Sequence, residues 1–424
     1  MVIEQKKVIK GEITVPGDKS ISHRAIIASA IAQGTSEIDG ILLNEDCLAT
    51  IECLRKVQVG IEILQQNKLR VYGRGLHGLK PAGNPLNAGN SGTTIRLLLG
   101  LLAGQGFNFV ITGDDRAHKK PMSRVVKPLR SMGANIIGKE DGNYVPFLIN
   151  ASKLTGVKLE LPNSGAQLKS SVLLASLYAE GDTVITERIK SRDHTELMLN
   201  NFGANILIQG NTVTCSPVTE LFSQSIQIPG DISYAIYFVI AGLLVQDGEI
   251  VVKNVGINPT RMAIFETLKE MGANIEITNK RTINNEMVGD ICARSSQLKG
   301  VTISSDRVAR MIDELPALAV AACIASGTTV IEEAPELAQK EINRLKAISL
   351  ELAKMGAKIT ESPESVIIEG GKQLKGTIVE TSNDDHIAMA LAMAGLVAEG
   401  ETMIRKAQCV DVVFPEFFDI LYSL

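Results

Sequence analysis

The chain has 424 residues, 45% of them hydrophobic and 21% charged, with a formal net charge of -4. That length provides for roughly two to three packed domains, and a charge so near neutral gives no electrostatic footprint for nucleic acid. Trp is absent and aromatics make up only 4%, which also excludes a base-stacking platform.

The first residues, MVIEQKKVIKGEITVPG, lack the apolar core of a signal peptide. Apolar runs such as Ala317 to Ala325 fall far short of a membrane span. A cytoplasmic protein is expected. The six cysteines are scattered with no CxxC pair, and the five histidines form no HExxH. Free thiols are expected, with no disulfide frame and no zinc site. No cofactor is expected.

The first chemistry-bearing stretch runs from Val15 to Gly34. Pro16-Gly17-Asp18 reads as a turn, with Asp18 or Ser20 as the cap of a helix. Lys19, Ser20, Ser22, His23 and Arg24 then crowd into one polar run ahead of the apolar segment Ala25 to Ala32. Such a layout aims backbone N–H groups, a helix dipole and two cations at one point, which suits a phosphate or a carboxylate.

Two patterns then recur along the chain. A helix end followed by Gly and a strand-like run appears around Gly34, Gly106, Gly181, Gly248, Gly327 and Gly400. The spacing, roughly 70 to 80 residues, is that of a repeat protein. A glycine just past a helix fits a left-handed cap. The second pattern is a helix ending in Gly-Ala-Asn-Ile or a close variant, at Gly133, Gly203, Gly272 and Gly356. A weaker copy has Gln58 at the glycine position, and the last unit lacks this half. Each unit therefore reads as strand, helix, strand, helix, strands, and several must pack together to cover their apolar helix faces. Six units suggest two domains of three: residues 1–14 with 228–424 as one discontinuous domain, and residues 15–227 as the other.

The first helix of every unit is apolar and follows a polar or Gly-rich segment. These are PGDKSISHR (16–24), GNSGTTIR (89–96), PNSGAQLKS (162–170), PGDISYA (229–235), DELPALA (313–319) and NDDHIAMA (383–390). Six helix N-termini at equivalent points of six repeats would gather positive ends on one side of each domain, and two such domains facing each other would suit a polyanionic substrate. Arg116, Lys119 and Lys120 in TGDDRAHKKPM, Arg192 in SRDHTEL, and Lys340 with Arg344 four residues on add cations. Glu341 lies between those two, and Asp313-Glu314 leads into an apolar helix, where a carboxylate either caps the helix or serves as a general base.

These motifs resemble the EPSP synthase (3-phosphoshikimate 1-carboxyvinyltransferase) family. The specific pieces are PGDKSISHRAI at 16–26, GNSGTTIRLL at 89–98, KKPMSRVVKPL at 119–129, SRDHTE at 191–196, PGDIS at 229–233, MIDELP at 311–316 and FPEFFDIL at 414–421. The resemblance implies an α/β fold, a two-domain inverted α/β barrel of six βαβαββ repeats. It implies transfer of the enolpyruvyl group of phosphoenolpyruvate to the 5-hydroxyl of shikimate 3-phosphate, through a tetrahedral ketal phosphate, by a monomer with no metal and no nucleic-acid or membrane partner.

By the same resemblance, Lys19, Ser20, Arg24, Ser164, Gln167 and Arg192 would contact shikimate 3-phosphate. Asp313 and Lys340 would bind the ring hydroxyls. Asp313 would be the base at the 5-hydroxyl, Glu341 would handle the methylene proton, and Lys19 would reach both substrates. Gly92 and Lys120 would hold the phosphoenolpyruvate phosphate and Arg344 its carboxylate, with Gln167 and His386 beside them.

Several positions depart from the family pattern. Lys120 stands for Arg, which keeps the charge and loses the bidentate fork. Gly165 stands for Ser, with Ser164 displaced by one. Ile342 and Asn343 interrupt Lys-Glu-[Ser/Thr]-Asp-Arg, and Tyr234 replaces a Ser after PGDIS. Asp385-His386-Ile387 stands for Asp-His-Arg, so the expectation is that Ile387 removes a cation from the phosphoenolpyruvate site and weakens its binding, and that Ile387→Arg restores it. These losses also allow a homologue that binds a phosphorylated metabolite without turnover. The related UDP-N-acetylglucosamine enolpyruvyl transferase needs a reactive Cys in the loop at 112–122, which holds none.

Overall fold

The computed structural model describes residues 1–161, 165–334, 339–362 and 364–424, leaving aside the side chains of 339–342. Among the described residues six small mixed sheets hold all the strands. Most follow one recipe: a strand, a crossover helix and a second strand make a parallel pair, and two more strands add antiparallel. Leu86–Asn87 lies parallel to Phe109–Thr112, and Tyr144–Asn150 and Asn135–Gly138 complete that sheet in antiparallel order. Lys158–Leu161 with Thr183–Glu187, and Thr302–Ile303 with Thr328–Glu332, start two more sheets in the same way.

The helices divide into two kinds. Those that begin each unit carry apolar residues almost all round, as in Gly92–Ala103, Ile232–Leu244, Leu315–Ile324 and Asp385–Val397, and nearly every residue in them is buried. The second helix of a unit is amphipathic. Glu45–Lys56 buries Cys47, Thr50, Ile51, Cys53 and Leu54 on one stripe, and Ser123–Ser131 buries Val125, Val126 and Leu129. All-apolar helices must sit inside and striped ones outside, so each unit wraps a central helix between its sheet and its outer helix. Close approach of two central helices shows at Gly100, where a Cβ would lie 2.0 Å from the Ser171 carbonyl oxygen.

The turn that closes each second helix takes φ near 95°, at Gly133, Gly203, Gly272 and Gly356, and Gln58 is held at φ 67° in the same place. After the first helices the pattern is less uniform. Gly34, Gly181, Gly327 and Gly400 have positive φ, but Gly106 and Gly248 do not. Gly248 is needed for another reason: a Cβ there would meet the Gly242 carbonyl oxygen at 2.3 Å.

The chain divides into two compact units. One holds Met1–Pro16, Pro229–Thr282 and Met287–Leu424, and the other holds Gly17–Ile228 with Ile283–Glu286. Three sheets belong to each. Two strands are exchanged at the crossings. Val8–Ile13 pairs parallel with Asp247–Gly256 in the first unit, and Ser225–Gln227 pairs parallel with Gln33–Asp39 in the second. In the sixth repeat the antiparallel strand comes from the first residues: Val2–Ile3 pairs with Thr402–Arg405.

Candidate active site

In the second unit the helix Lys19–Ala30 begins at Asp18, whose carboxylate accepts the Ile21 N–H at 2.8 Å. Asp18 rather than Ser20 is therefore the cap. Lys19 is ion-paired with Asp46, both side chains partly exposed. Burial pushes the Asp46 carboxyl up, but Lys19 outweighs it and leaves the group below its ordinary value. His23 turns inward to Thr50 Oγ1 at 2.8 Å, and burial takes its pKa down to about 3, so the ring is neutral.

Arg24 is only 6% exposed. Its Nε donates to Thr195 Oγ1 at 2.6 Å, one terminal nitrogen to the Ser20 carbonyl at 2.8 Å, and the other to Ser170 Oγ at 2.6 Å. Burial lowers its pKa to about 10, which still leaves it charged at neutral pH. Three neutral oxygens thus fix the guanidinium in place without cancelling its charge.

The segment carrying Arg192 is gripped at both ends. Lys169, fully buried, is bridged to Glu187 at 2.8 Å and Glu196 at 2.7 Å. Glu187 in turn accepts the Ser191 hydroxyl at 2.5 Å. Beyond Arg192, the buried His194 ring meets Glu286 at 2.7 Å. Burial opposes the charge on Lys169, but the two carboxylates prevail and hold its pKa above the ordinary value.

A second cluster surrounds the start of the helix Gly92–Ala103, capped by Ser91 through the Thr94 N–H at 3.1 Å. Lys120 reaches Asn90 Oδ1 at 2.7 Å. Arg96 donates to Gln167 Oε1 at 2.7 Å, and Gln167 donates to Thr93 Oγ1 at 2.8 Å. A Cβ on Gly92 would lie 2.9 Å from an Arg96 terminal nitrogen and 3.6 Å from Lys120 Cδ. Two cations and a helix N-terminus therefore converge on a position that only glycine leaves open.

In the first unit Arg344 is the centre. Its Nε donates to Asp384 Oδ2 at 2.9 Å, and a terminal nitrogen lies 3.5 Å from Asp313 Oδ1. Burial works against its charge, yet the two aspartates hold its pKa above the usual guanidinium value. His386 Nδ1 lies 2.9 Å from the Tyr237 hydroxyl, whose pKa burial raises well above its ordinary value. Tyr234, the residue in place of Ser, is a core residue whose ring stacks on His386 with centroids 6.1 Å apart.

The structure corrects the expectation about Ile387. It is 2% exposed, packed in the core, and its N–H is the group that Asp384 caps at 3.2 Å. A cation at 387 would enter the hydrophobic interior, so Ile387→Arg is no restoration. The residue displayed beside the polar helix start is His386. Ser164 lies outside the described residues, as do the side chains of Lys340 and Glu341, whose backbone belongs to the helix Gln339–Lys354.

Lys19, Ser20, Arg24, Gly92, Lys120, Gln167 and Arg192 thus belong to the second unit, and Asp313, Arg344 and His386 to the first. Sequence reasoning missed Asp46, Asn90, Arg96, Thr195 and Asp384. Arg96 and Thr195 stand inside motifs already singled out, GNSGTTIR and SRDHTE, where the position in the helix was the available signal. Among the described residues no group of three or more His, Cys, Asp or Glu gathers as metal ligands would. No helix there is long and apolar enough to cross a membrane. What these clusters can do is bind anions, with cations at helix starts, and move a proton at Asp313.

Known proteins resemble this chain along nearly its whole length. The sequence profile described as EPSP synthase (3-phosphoshikimate 1-carboxyvinyltransferase) matches residues 3–421. A 3-phosphoshikimate 1-carboxyvinyltransferase of Thermoanaerobacter sp. (strain X514) is 50% identical over 416 residues, covering 98% of each chain. One of Desulforamulus reducens is 46% identical over 421 residues, covering 99% of this chain and 98% of its own. The crystal structure of EPSP synthase from Acinetobacter baumannii superposes with a TM-score of 0.92 at 40% identity, covering 100% of this chain and 97% of that one.

Proposed function

The chain belongs to the EPSP synthase family, and we propose that it transfers the enolpyruvyl group of phosphoenolpyruvate to the 5-hydroxyl of shikimate 3-phosphate, releasing inorganic phosphate. This is the step of aromatic amino-acid biosynthesis for which the family is named. The observation that carries the assignment to particular residues is the pair of cation clusters at the helix starts of the second unit, one around Lys19 and Arg24 and one around Gly92, Arg96 and Lys120. The two substrates bring two phosphates and a carboxylate, and charge-assisted hydrogen bonds are the strongest non-covalent means of holding them.

On this assignment Lys19, Ser20, Arg24 and Arg192 hold the 3-phosphate, and Gln167 packs beside the ring. Gly92, Lys120 and Lys19 hold the phosphate of phosphoenolpyruvate, and Arg344 takes its carboxylate with His386 nearby. Asp313 accepts the proton of the 5-hydroxyl as that oxygen attacks C2 of phosphoenolpyruvate, while C3 gains a proton from the Glu341 carboxyl. The tetrahedral intermediate then loses a C3 proton to Glu341 and expels phosphate, which restores the double bond. Lys340 steadies the ring hydroxyl. Carboxylates near the reacting oxygen and carbon suit both proton transfers.

The test is direct. The purified protein is incubated with both substrates, and phosphate release is followed while the product is identified by mass. Stoichiometric phosphate and a product heavier than shikimate 3-phosphate by the enolpyruvyl group are expected. Binding of shikimate 3-phosphate with no phosphate release would overturn the assignment.

A further inference from the structure

Arg261, which the reaction itself leaves unused, joins three segments. It closes a short turn, Pro259–Arg261, and is 3% exposed. One terminal nitrogen donates to Ser233 Oγ at 2.6 Å, lies 3.2 Å from Glu314 Oε1 and 3.4 Å from Asp231 Oδ1. Ser233 donates its hydroxyl to the same Glu314 oxygen at 2.5 Å. Asp231 meanwhile accepts the Ser233 N–H at 2.9 Å as the cap of the helix Ile232–Leu244. The motif PGDIS, the segment NPTR at 258–261 and the motif MIDELP thus meet at one guanidinium.

Glu314 is the informative member. It stands at the N-cap position of the helix Leu315–Ile324, where a short acceptor such as Asp, Ser or Thr commonly receives a backbone N–H. Its carboxylate makes no such bond. It turns instead to Arg261 and Ser233 and is 1% exposed. Stability does not require this, because a buried ion pair is usually no better than apolar side chains of the same volume. The alternative use is orientation. Asp313 and Glu314 share the short 3-10 turn Ile312–Glu314. Successive side chains in such a turn point about a third of a circle apart. Tying Glu314 to Arg261 on one side therefore sets where Asp313 points on the other, which is toward Arg344 at 3.5 Å.

We propose that Arg261 is a positioning residue for this reaction, acting through Glu314 to aim the Asp313 carboxylate at the hydroxyl it deprotonates. The proposal rests on the assignment of Asp313 above. It separates Arg261 from the substrate-binding cations: Arg261 acts on turnover and not on affinity.

The experiment compares Glu314→Gln and Arg261→Lys in two backgrounds, the natural protein and Asp313→Asn, by steady-state and single-turnover kinetics at high enzyme concentration. Glu314→Gln keeps the shape and the Ser233 bond, so it serves if Arg261→Lys folds poorly, and circular dichroism checks both. In the natural background a loss of about tenfold or more in kcat is expected, of the order that misplacing a reacting group causes, with KM for both substrates changed by less than about twofold. In the Asp313→Asn background neither variant should cost anything further, because the group being aimed is gone. Equal losses in both backgrounds, or a lowered Tm with kcat unchanged, would overturn the positioning role and leave Asp313 in place. Full turnover in Asp313→Asn alone would overturn the Asp313 assignment and this role with it.

Discussion

Arg344 and Asp384 are bound to each other at 2.9 Å, and the same aspartate caps the helix Asp385–Val397 through its other oxygen. One carboxylate thus fixes a helix start and the direction of the Arg344 guanidinium. The two duties separate on substitution. Asp384→Asn keeps an acceptor for the Ile387 N–H and loses the ion pair, so its melting temperature should stay close to the natural value while KM for phosphoenolpyruvate rises. Asp384→Ala loses both, and the missing cap costs about 1 kcal/mol of stability. Thermal melts and steady-state kinetics on the pair check this. An Asp384→Asn protein with unchanged KM contradicts the link to Arg344.

The Gly92 cluster makes a second prediction. Lys120→Met removes a charged donor worth roughly 1.5–3 kcal/mol, so KM for phosphoenolpyruvate should rise about ten- to a hundredfold. Gly92→Ala should act in the same direction without removing any charge, since its new Cβ presses on Arg96. KM for shikimate 3-phosphate should move much less in both. Equal changes for the two substrates would show that the cluster does not distinguish them.

Ile387→Arg should fail as a repair. The side chain it replaces is buried among the central helices, and an unpaired buried charge is among the costliest changes a core can suffer. The expected result is a melting temperature far below that of Ile387→Val, or insoluble protein, with no gain in phosphoenolpyruvate affinity. A soluble Ile387→Arg protein with a lower KM would reverse this.

A fourth prediction concerns acid. The unfolded chain protonates His23 near its ordinary value of 6.5, but the buried ring resists until about pH 3. Between those values the unfolded state binds more protons, so this residue's contribution to stability is intact above pH 6.5 and is lost as pH falls through the window. His23→Asn keeps an amide nitrogen near the place of Nδ1 and cannot be protonated there. Its stability should fall less steeply from pH 6.5 to 4 in denaturant titrations, and an unchanged slope would rule His23 out as a source.

Much of the architecture was legible because it repeats. A glycine after each second helix and an apolar first helix recur often enough to reveal six units, and the polar residues ahead of the first helices mark the candidate anion sites. What escaped was either non-local or one residue wide. Nothing in Ile283-Asn284-Asn285-Glu286 announces that these four residues belong with Gly17–Ile228. The error at Ile387 is a matter of rotation: one step along a helix turns a side chain by about 100°, enough to exchange core for surface. Arg261 was passed over because NPTR reads as an ordinary Pro turn, and its partners lie 28 and 53 residues away.

The strand Val8–Ile13 leaves the ribosome early, yet its partner Asp247–Gly256 follows more than two hundred residues later. Sequence distance of that size makes a contact slow to form. The segment Gly17–Ile228 can assemble all three of its sheets while the first sixteen residues still wait. The unit that holds Asp313 and Arg344 is then finished last, and its oldest residues are among the final ones to find their place.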